Sequence, residues 1–564
     1  MSARRLSLAR PLAGSLTALG LILAAAAGHG GQAPGKGDCP APDAGLTLPP
    51  GFCATVFADG LGHVRHMVVG ADGTVYANSA PGNDAPGLPS GLVILPDSDG
   101  DGHADRVERP LTGQTGGTGI ALWQGQLFME DGKRILRYRL DPHDHRPQGA
   151  PQVVVADLPT DGDHRSHSLA VRADGALFVT SGSATNACQI DNRQAASPGR
   201  QPCLEKQTRA GIWRFDALGS QQVFGASARY ASGIRNAVGV ALDTQGHLFA
   251  TQHGRDQLHE NWPRLYTAAQ GQDLPAEELL GITPGADYGW PECYYDPAQR
   301  HLVLAPEYGG NGGTAVGLCA DRKAPVAAFP AHWAPNALVM YEGAQFPQAY
   351  HGGAFIAFHG SWNRAPGPQQ GFDIVFQPLT AGQAAGDFIL FAEGFAGAGK
   401  ASGQALYRPT GLAVGGDGAL YVSDDRQGRI WRITYRGDLN APLTGVREAG
   451  IMSGKSAEPQ GPPAVAGDRI ALGRRLFAGE IAGAPCAGCH GPSGQGTPVG
   501  PNLADGVWLW GKGDLADIRH IIAVGVAHPK TYPAPMPAGG GAALNDEQID
   551  ALASYVFAIS HRRS

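Results

Sequence analysis

Between Arg65 and Tyr435 one short phrase returns six times: a turn closing on glycine, one small or polar residue, then a short apolar-aromatic strand. The first three copies are Asp72-Gly73-Thr74-Val75-Tyr76, Gln124-Gly125-Gln126-Leu127-Phe128 and Asp174-Gly175-Ala176-Leu177-Phe178. Gln245-Gly246-His247-Leu248-Phe249, Gly352-Gly353-Ala354-Phe355-Ile356 and Asp417-Gly418-Ala419-Leu420-Tyr421 follow. A second strand trails several of them, as in Ile135-Leu136-Arg137-Tyr138 and Ile430-Trp431-Arg432-Ile433. Asp-Gly or its equivalent between alternating strands is hairpin chemistry. Six similar units, each about 50 residues or more after the last, predict an all-β six-bladed propeller of four-stranded blades with loop insertions. A β-sandwich is the competing architecture, but it has no need of six like units. The 83 glycines and 43 prolines suit so many tight turns.

The pattern lapses from Gly437 into Gly, Pro, Ala and Ser, which predicts a linker over 437–466. Helical spacing then begins at Asp468-Arg469-Ile470-Ala471-Leu472. Asn545, with Gln548 three residues on, predicts a capped final helix whose apolar stripe is Ile549, Leu552, Tyr555, Val556 and Ile559. A small all-α domain over 467–564 follows. Inside it stands Cys486-Ala487-Gly488-Cys489-His490. C-x-x-C-H is the c-type haem attachment pattern: Cys486 and Cys489 bond the haem vinyls and His490 ligates iron. A zinc knuckle would need a second Cys/His pair, and none follows at zinc spacing. Met536, in Pro535-Met536-Pro537, is the candidate sixth ligand, and His/Met ligation suits electron transfer.

Residues 1–27 read as a signal peptide: Arg4, Arg5 and Arg10 precede an apolar run from Leu12 to Ala27. No later run reaches the roughly 18 apolar residues of a membrane span. The expectation is a periplasmic mature chain without a transmembrane segment. Its formal charge of −7 becomes about −10 once those three arginines are removed, which excludes nucleic acid as a natural partner. The other six cysteines fall as near neighbours, and local pairing predicts Cys39–Cys53, Cys188–Cys203 and Cys293–Cys319 in an oxidising compartment.

Two resemblances reach motif level. The last 100 or so residues resemble a class I cytochrome c. Gly500-Pro501-Asn502-Leu503, Val507-Trp508-Leu509-Trp510-Gly511 and Ala534-Pro535-Met536-Pro537 resemble the cytochrome domains of diheme subunits in bacterial terminal oxidases, whose M-P methionine implies Met536 as distal ligand. Residues 40–436 resemble the soluble PQQ-dependent sugar dehydrogenases, in the sorbosone or aldose dehydrogenase branch. The matching stretches are Gly162-Asp163-His164-Arg165, Gly233-Ile234-Arg235-Asn236, Tyr288-Gly289-Trp290-Pro291, His359-Gly360-Ser361-Trp362-Asn363-Arg364 and Tyr407-Arg408-Pro409 with Ser423-Asp424-Asp425. That family is a six-bladed propeller carrying pyrroloquinoline quinone over its central channel, which agrees with the blade count reached from the repeats.

The resemblance implies site roles. His164 takes the position of the catalytic base, and an imidazole suits that task. With 19 histidines in the chain, residue type alone would not single it out. Asp163 is expected to orient it. Arg235, Arg364 and Arg408 are expected to meet the three carboxylates of PQQ, with Arg65 a further candidate. Arg235 would also stabilise developing negative charge, and Asn236 would hydrogen-bond the cofactor. A Ca²⁺ beneath the quinone would take the carbonyls of Gly254 and Arg255, although Arg255 stands where proline is common in the glucose branch. No equivalent of the family's substrate-side glutamine is evident near Gln114. Separately, Asp97, Asp99, Asp101 and Asp105 alternate around Gly102, with Glu108 at the twelfth position, and resemble a calcium loop without flanking helices.

The combined expectation is a quinohaemoprotein dehydrogenase. It oxidises an aldose or aldehyde sugar with PQQ and passes electrons through haem c to a cytochrome or terminal oxidase. The rival reading is a non-catalytic or lactonase-like binding propeller fused to an electron carrier.

Overall fold

The computed structural model describes Cys39 and residues 44–82, 88–364, 367–401, 403–446, 467–481, 486–542 and 544–561. The chain divides into two compact units, Met1–Lys455 and Ser456–Ser564. The expected signal peptide lies outside the described residues.

The first unit is a six-bladed propeller. Its innermost strands are Val64–Val69, Ile120–Trp123, Leu169–Val171, Val240–Leu242, Pro335–Met340 and Pro409–Val414. Each neighbours the next and the last neighbours the first, so they close a ring. In every blade an antiparallel second strand follows directly: Val75–Ser79, Gln126–Asp131, Ala176–Ser181, Leu248–Gln252, Ala354–Phe358 and Leu420–Asp424. The six repeated turns are the hairpins between these pairs. Gly73, Gly125, Gly175, Gly246, Gly352 and Gly418 all hold positive φ there, which side chains rarely tolerate.

The ring is locked by its own beginning. Phe52–Ala58 forms the outer strand of the last blade, antiparallel to Ile430–Tyr435. Aromatic side chains fill the wedge beside it. Phe52 packs edge-on against Phe346 and Phe391, and Trp431 is fully buried nearby.

The blades are less uniform than the repeats predict. The first has three strands, and its fourth position is taken by the acidic loop that returns at the Ile94–Glu108 bridge. The second gains a fifth, parallel strand, Gln222–Val223. Two insertions, residues 253–276 and 283–326, interrupt the fourth blade on either side of its third strand, Glu277–Ile282, and Cys293–Cys319 staples the second. Cys39–Cys53 and Cys188–Cys203 are also bonded, as local pairing predicts. The chain also stays on the propeller beyond residue 437, where a linker is expected. Leu439 and Thr444 carbonyls accept from Gln348 N–H and Tyr350 Oη–H, and Val446 N–H donates to Leu390. Composition reads as linker there, but backbone groups still find partners.

The second unit is helical: Gly467–Phe477, Cys486–His490, Leu515–Val524 and Asp546–Ser560. The last helix carries the expected capping box between Asn545 and Gln548. Gly473 lies against the Ala551 backbone so closely that a β-carbon would stand 1.9 Å from its carbonyl oxygen. Glycine is what lets the first and last helices meet. No described helix is long and apolar enough to cross a membrane.

Candidate active site

Each blade's first strand starts, and its second strand ends, at the same rim. Residues just before the first strands and just after the second therefore converge on the axis at one face. His164, Arg235, Asn236 and Arg408 come from the first set, joined by Arg65, the second residue of its strand; Ser183, Asp256, His359 and Asp425 come from the second.

His164 Nδ1 lies 2.9 Å from the Ser183 carbonyl and 3.0 Å from its hydroxyl. A carbonyl only accepts, so Nδ1 carries the hydrogen and Nε2 presents its lone pair. Burial, then the Arg235 charge, pushes this imidazole well below its usual pKa, so it stands neutral and ready to accept. Gly182 packs under it: a β-carbon there would meet His164 Cβ at 2.4 Å and Asn236 Oδ1 at 2.9 Å. Asn236 Oδ1 is buried without a protein partner.

Arg235 is 3% exposed and held on three sides. Nε donates to the Asn186 carbonyl at 3.0 Å, Nη1 to the Gly254 carbonyl at 2.9 Å, and Nη2 to Asn186 Oδ1 and Asp256 Oδ2 at 2.9 and 2.8 Å. Asp256 also takes Arg193 at 3.1 Å and Asn363 Nδ2 at 2.8 Å. Burial opposes its charge, but Arg235 and Arg193 hold this carboxyl well below the usual range.

Asp425 is the opposite hub. One oxygen takes the Arg65 guanidinium and the other lies 2.8 Å from His359 Nε2. Arg408 donates to the His359 and Gly360 carbonyls at 3.0 and 2.8 Å. The residues fit an anionic, hydrogen-bonding planar group. Arg65, Arg235 and Arg408 ring the face, and the orphaned Asn236 Oδ1 awaits a donor.

Several expectations are corrected. Asp163 does not orient His164: it is exposed and its carboxylate pairs with Arg193 at 2.9 Å. Ser183 does the orienting. The terminal nitrogens of Arg364 donate to the Gln272 and Ala331 carbonyls and to Asp273, while its Nε is buried without a partner, and its neighbour Asn363 reaches Asp256. The carbonyl of Gly254, expected to bind calcium, accepts from the Arg235 guanidinium, and a cation there would face like charge. The Arg255 side chain turns away to Glu307 at 2.5 Å. The Gly254 carbonyl is thus already engaged by a cationic side chain of the protein's own. Gln114 bonds Tyr138 Oη and the Leu92 N–H, away from the axis.

In the acidic loop, Asp97, Asp99 and Asp101 bring carboxylate oxygens within 4.8 Å of one another. Asp105 stands outside that group and accepts from Ser98 N–H, and Glu108 is held by Arg106 and Arg146. The twelfth-position ligand is therefore already engaged.

In the helical unit, Cys486 and Cys489 are unbonded thiols beside His490. They line one cavity with Phe477, Met536 and Val556. His490 Nδ1 donates to the Pro501 carbonyl at 3.0 Å, which leaves Nε2 for iron. The cavity is mainly apolar and carries two thiols, an imidazole and a thioether, a donor set that fits covalent haem.

Residues 46–436 match the TrAA12-like family, and residues 470–559 match cytochrome c. The chain belongs to the TrAA12-like family and carries a C-terminal cytochrome c domain. Its propeller superposes on a Trichoderma reesei structure of Carbohydrate-Active Enzymes Family AA12 with TM-score 0.55 and 19% identity, covering 69% of this chain and 98% of that one. The holo PQQ domain of Coprinopsis cinerea pyranose dehydrogenase gives TM-score 0.54 and 19% identity over 69% and 97%. These likenesses show the fold. In sequence, 121 residues are 34% identical to the cbb3-type cytochrome c oxidase subunit FixP of Bradyrhizobium diazoefficiens, covering 21% of this chain and 40% of that protein. The PQQ-dependent pyranose dehydrogenase of Coprinopsis cinerea is 26% identical over 236 residues, covering 36% of this chain and 30% of that protein. The chain spans less than half the length of these curated relatives.

Proposed function

We propose that this protein is a quinohaemoprotein dehydrogenase that oxidises an aldose or aldehyde sugar. The observation that carries the reading is the His164–Ser183 pair. It leaves a neutral Nε2 lone pair beside the Arg235 guanidinium, on a propeller that shares its chain with a haem-binding cytochrome.

Bound PQQ would supply the electrophilic two-electron acceptor. His164 Nε2 takes the hydroxyl proton of the sugar, because Nδ1 is already committed to Ser183. Arg235 presents fixed positive charge where negative charge develops. Arg65, Arg235 and Arg408 orient carboxylates by fork geometry, and Asn236 Oδ1 accepts a hydrogen bond from the bound group.

The cytochrome domain would receive the electrons through haem c, held by Cys486, Cys489, His490 and Met536. Similarity to cbb3 oxidase subunits supports a respiratory cytochrome or oxidase as acceptor. Three disulfides support an exported, periplasmic protein.

The test is haem reduction in purified holo-cytochrome with PQQ, across aldoses and sorbosone. Reduction that requires both sugar and PQQ supports the reading. An oxidised haem, together with no reduction of an added dye, overturns it.

A further inference from the structure

His164 must accept a proton within reach of a buried guanidinium. An imidazolium formed beside Arg235 would place two cations in one poorly solvated site, which costs heavily without a counter-charge. The groups that act on His164 are Arg235, His253, Asp256 and the Ser183 carbonyl, and Asp256 is the one carboxylate among them. Arg193, His332 and Glu277 in turn act on or feel Asp256. Both oxygens of Asp256 are spent on site residues: Oδ1 on Asn363, and Oδ2 on Arg235 and Arg193. Asn186 clamps its backbone, accepting Asp256 N–H at 2.9 Å and donating to Asp256 O at 3.0 Å. Its charge is thus fixed in place before any substrate arrives.

We propose that Asp256 is the positioning residue of this site: it holds Arg235 and Asn363, and as the counter-ion of Arg235 it balances the charge of the site when His164 is protonated. The proposal rests on the dehydrogenase reading for its catalytic consequence, but not for its electrostatics. Asp256 does not attract the cofactor directly, because a carboxylate repels a tricarboxylate quinone; it acts on the site through Arg235.

This gives two effects of opposite sign. Asp256→Asn keeps the shape and removes the charge. Turnover should fall at least tenfold, while apo-protein binds PQQ as tightly or tighter, read by fluorescence quenching. A residue that only braced the pocket would instead weaken PQQ binding and lower the melting temperature. That result, or an unchanged kcat, overturns the proposal.

A second arm needs no quinone. Arg193 is partly exposed, and Arg193→Gln removes one cation from Asp256. The His164 ring, followed by NMR in apo-protein, should titrate at higher pH by about half a unit or more. Adding Asp256→Asn should abolish that rise. A shift that survives the double substitution, or no shift in Arg193→Gln, overturns the counter-ion role. Failure of sugar oxidation in the parent would leave this arm readable, so the two readings fail separately.

Discussion

His490 donates through Nδ1 to the carbonyl of Pro501, eleven residues along the chain, at 3.0 Å. The bond fixes which ring nitrogen faces the haem cavity. Met536 lines the same cavity. Met536→Ala should leave haem covalently attached, open the sixth position to added imidazole, and lower the potential by on the order of 100 mV. Mass spectrometry and a redox titration check the two halves.

His164→Ala should lower kcat by roughly 10²–10⁴-fold. Ser183→Ala should cost less than about tenfold, because the carbonyl that orients the ring belongs to the backbone. Steady-state dye reduction distinguishes them. Equal losses would mean that the hydroxyl, 3.0 Å from Nδ1, sets the ring instead.

Burial pushes Glu278 up to about 8, and its Oε2 has no partner. A carboxyl raised in the folded state keeps its proton where the unfolded chain has lost it. Its contribution therefore falls as pH rises from the unfolded value near 4.5 to about 8. Glu278→Gln escapes this. Its stability relative to the parent should improve steadily between pH 5 and pH 8, measured by urea unfolding at both ends. Glu277, whose charge also acts on Glu278, is present in both proteins.

Cys293–Cys319 closes a loop of 26 residues in the insertion. Replacing both with serine should cost up to about 3.5 kcal/mol by loop entropy. The loss should appear in thermal unfolding of the propeller, while haem spectra stay unchanged.

Much of this was legible in local chemistry. The six glycine turns announce six blades because each hairpin's φ requirement is written within five residues. Cysteine pairs 14 to 26 residues apart were legible for the same reason. His164, Arg235 and Asn236 stood out through their motifs. The partners did not, because the fold joins what the chain separates. Asn363 meets Asp256 across 107 residues, and Arg235 meets Asn186 across 49. Asp163 misled because adjacency in sequence is not contact: its carboxylate pairs with Arg193, thirty residues on. A motif names residue types, not the direction a guanidinium takes, and the terminal nitrogens of Arg364 turn to Gln272, Ala331 and Asp273.

The strand Phe52–Ala58 pairs with Ile430–Tyr435, some 370 residues later. During synthesis this early strand must therefore wait with open edges, a template for wrong pairing, until almost the whole propeller has emerged. Any chain cut short of residue 430 lacks the partner of Phe52–Ala58, so the ring loses the pairing that fastens its beginning to its end. The face on which His164, Arg235 and Arg408 converge then rests on inner-strand packing alone. Completion of the circle is thus a checkpoint on assembly: the catalytic face comes into being only at the last blade, just before the segment that leads to the haem-binding unit.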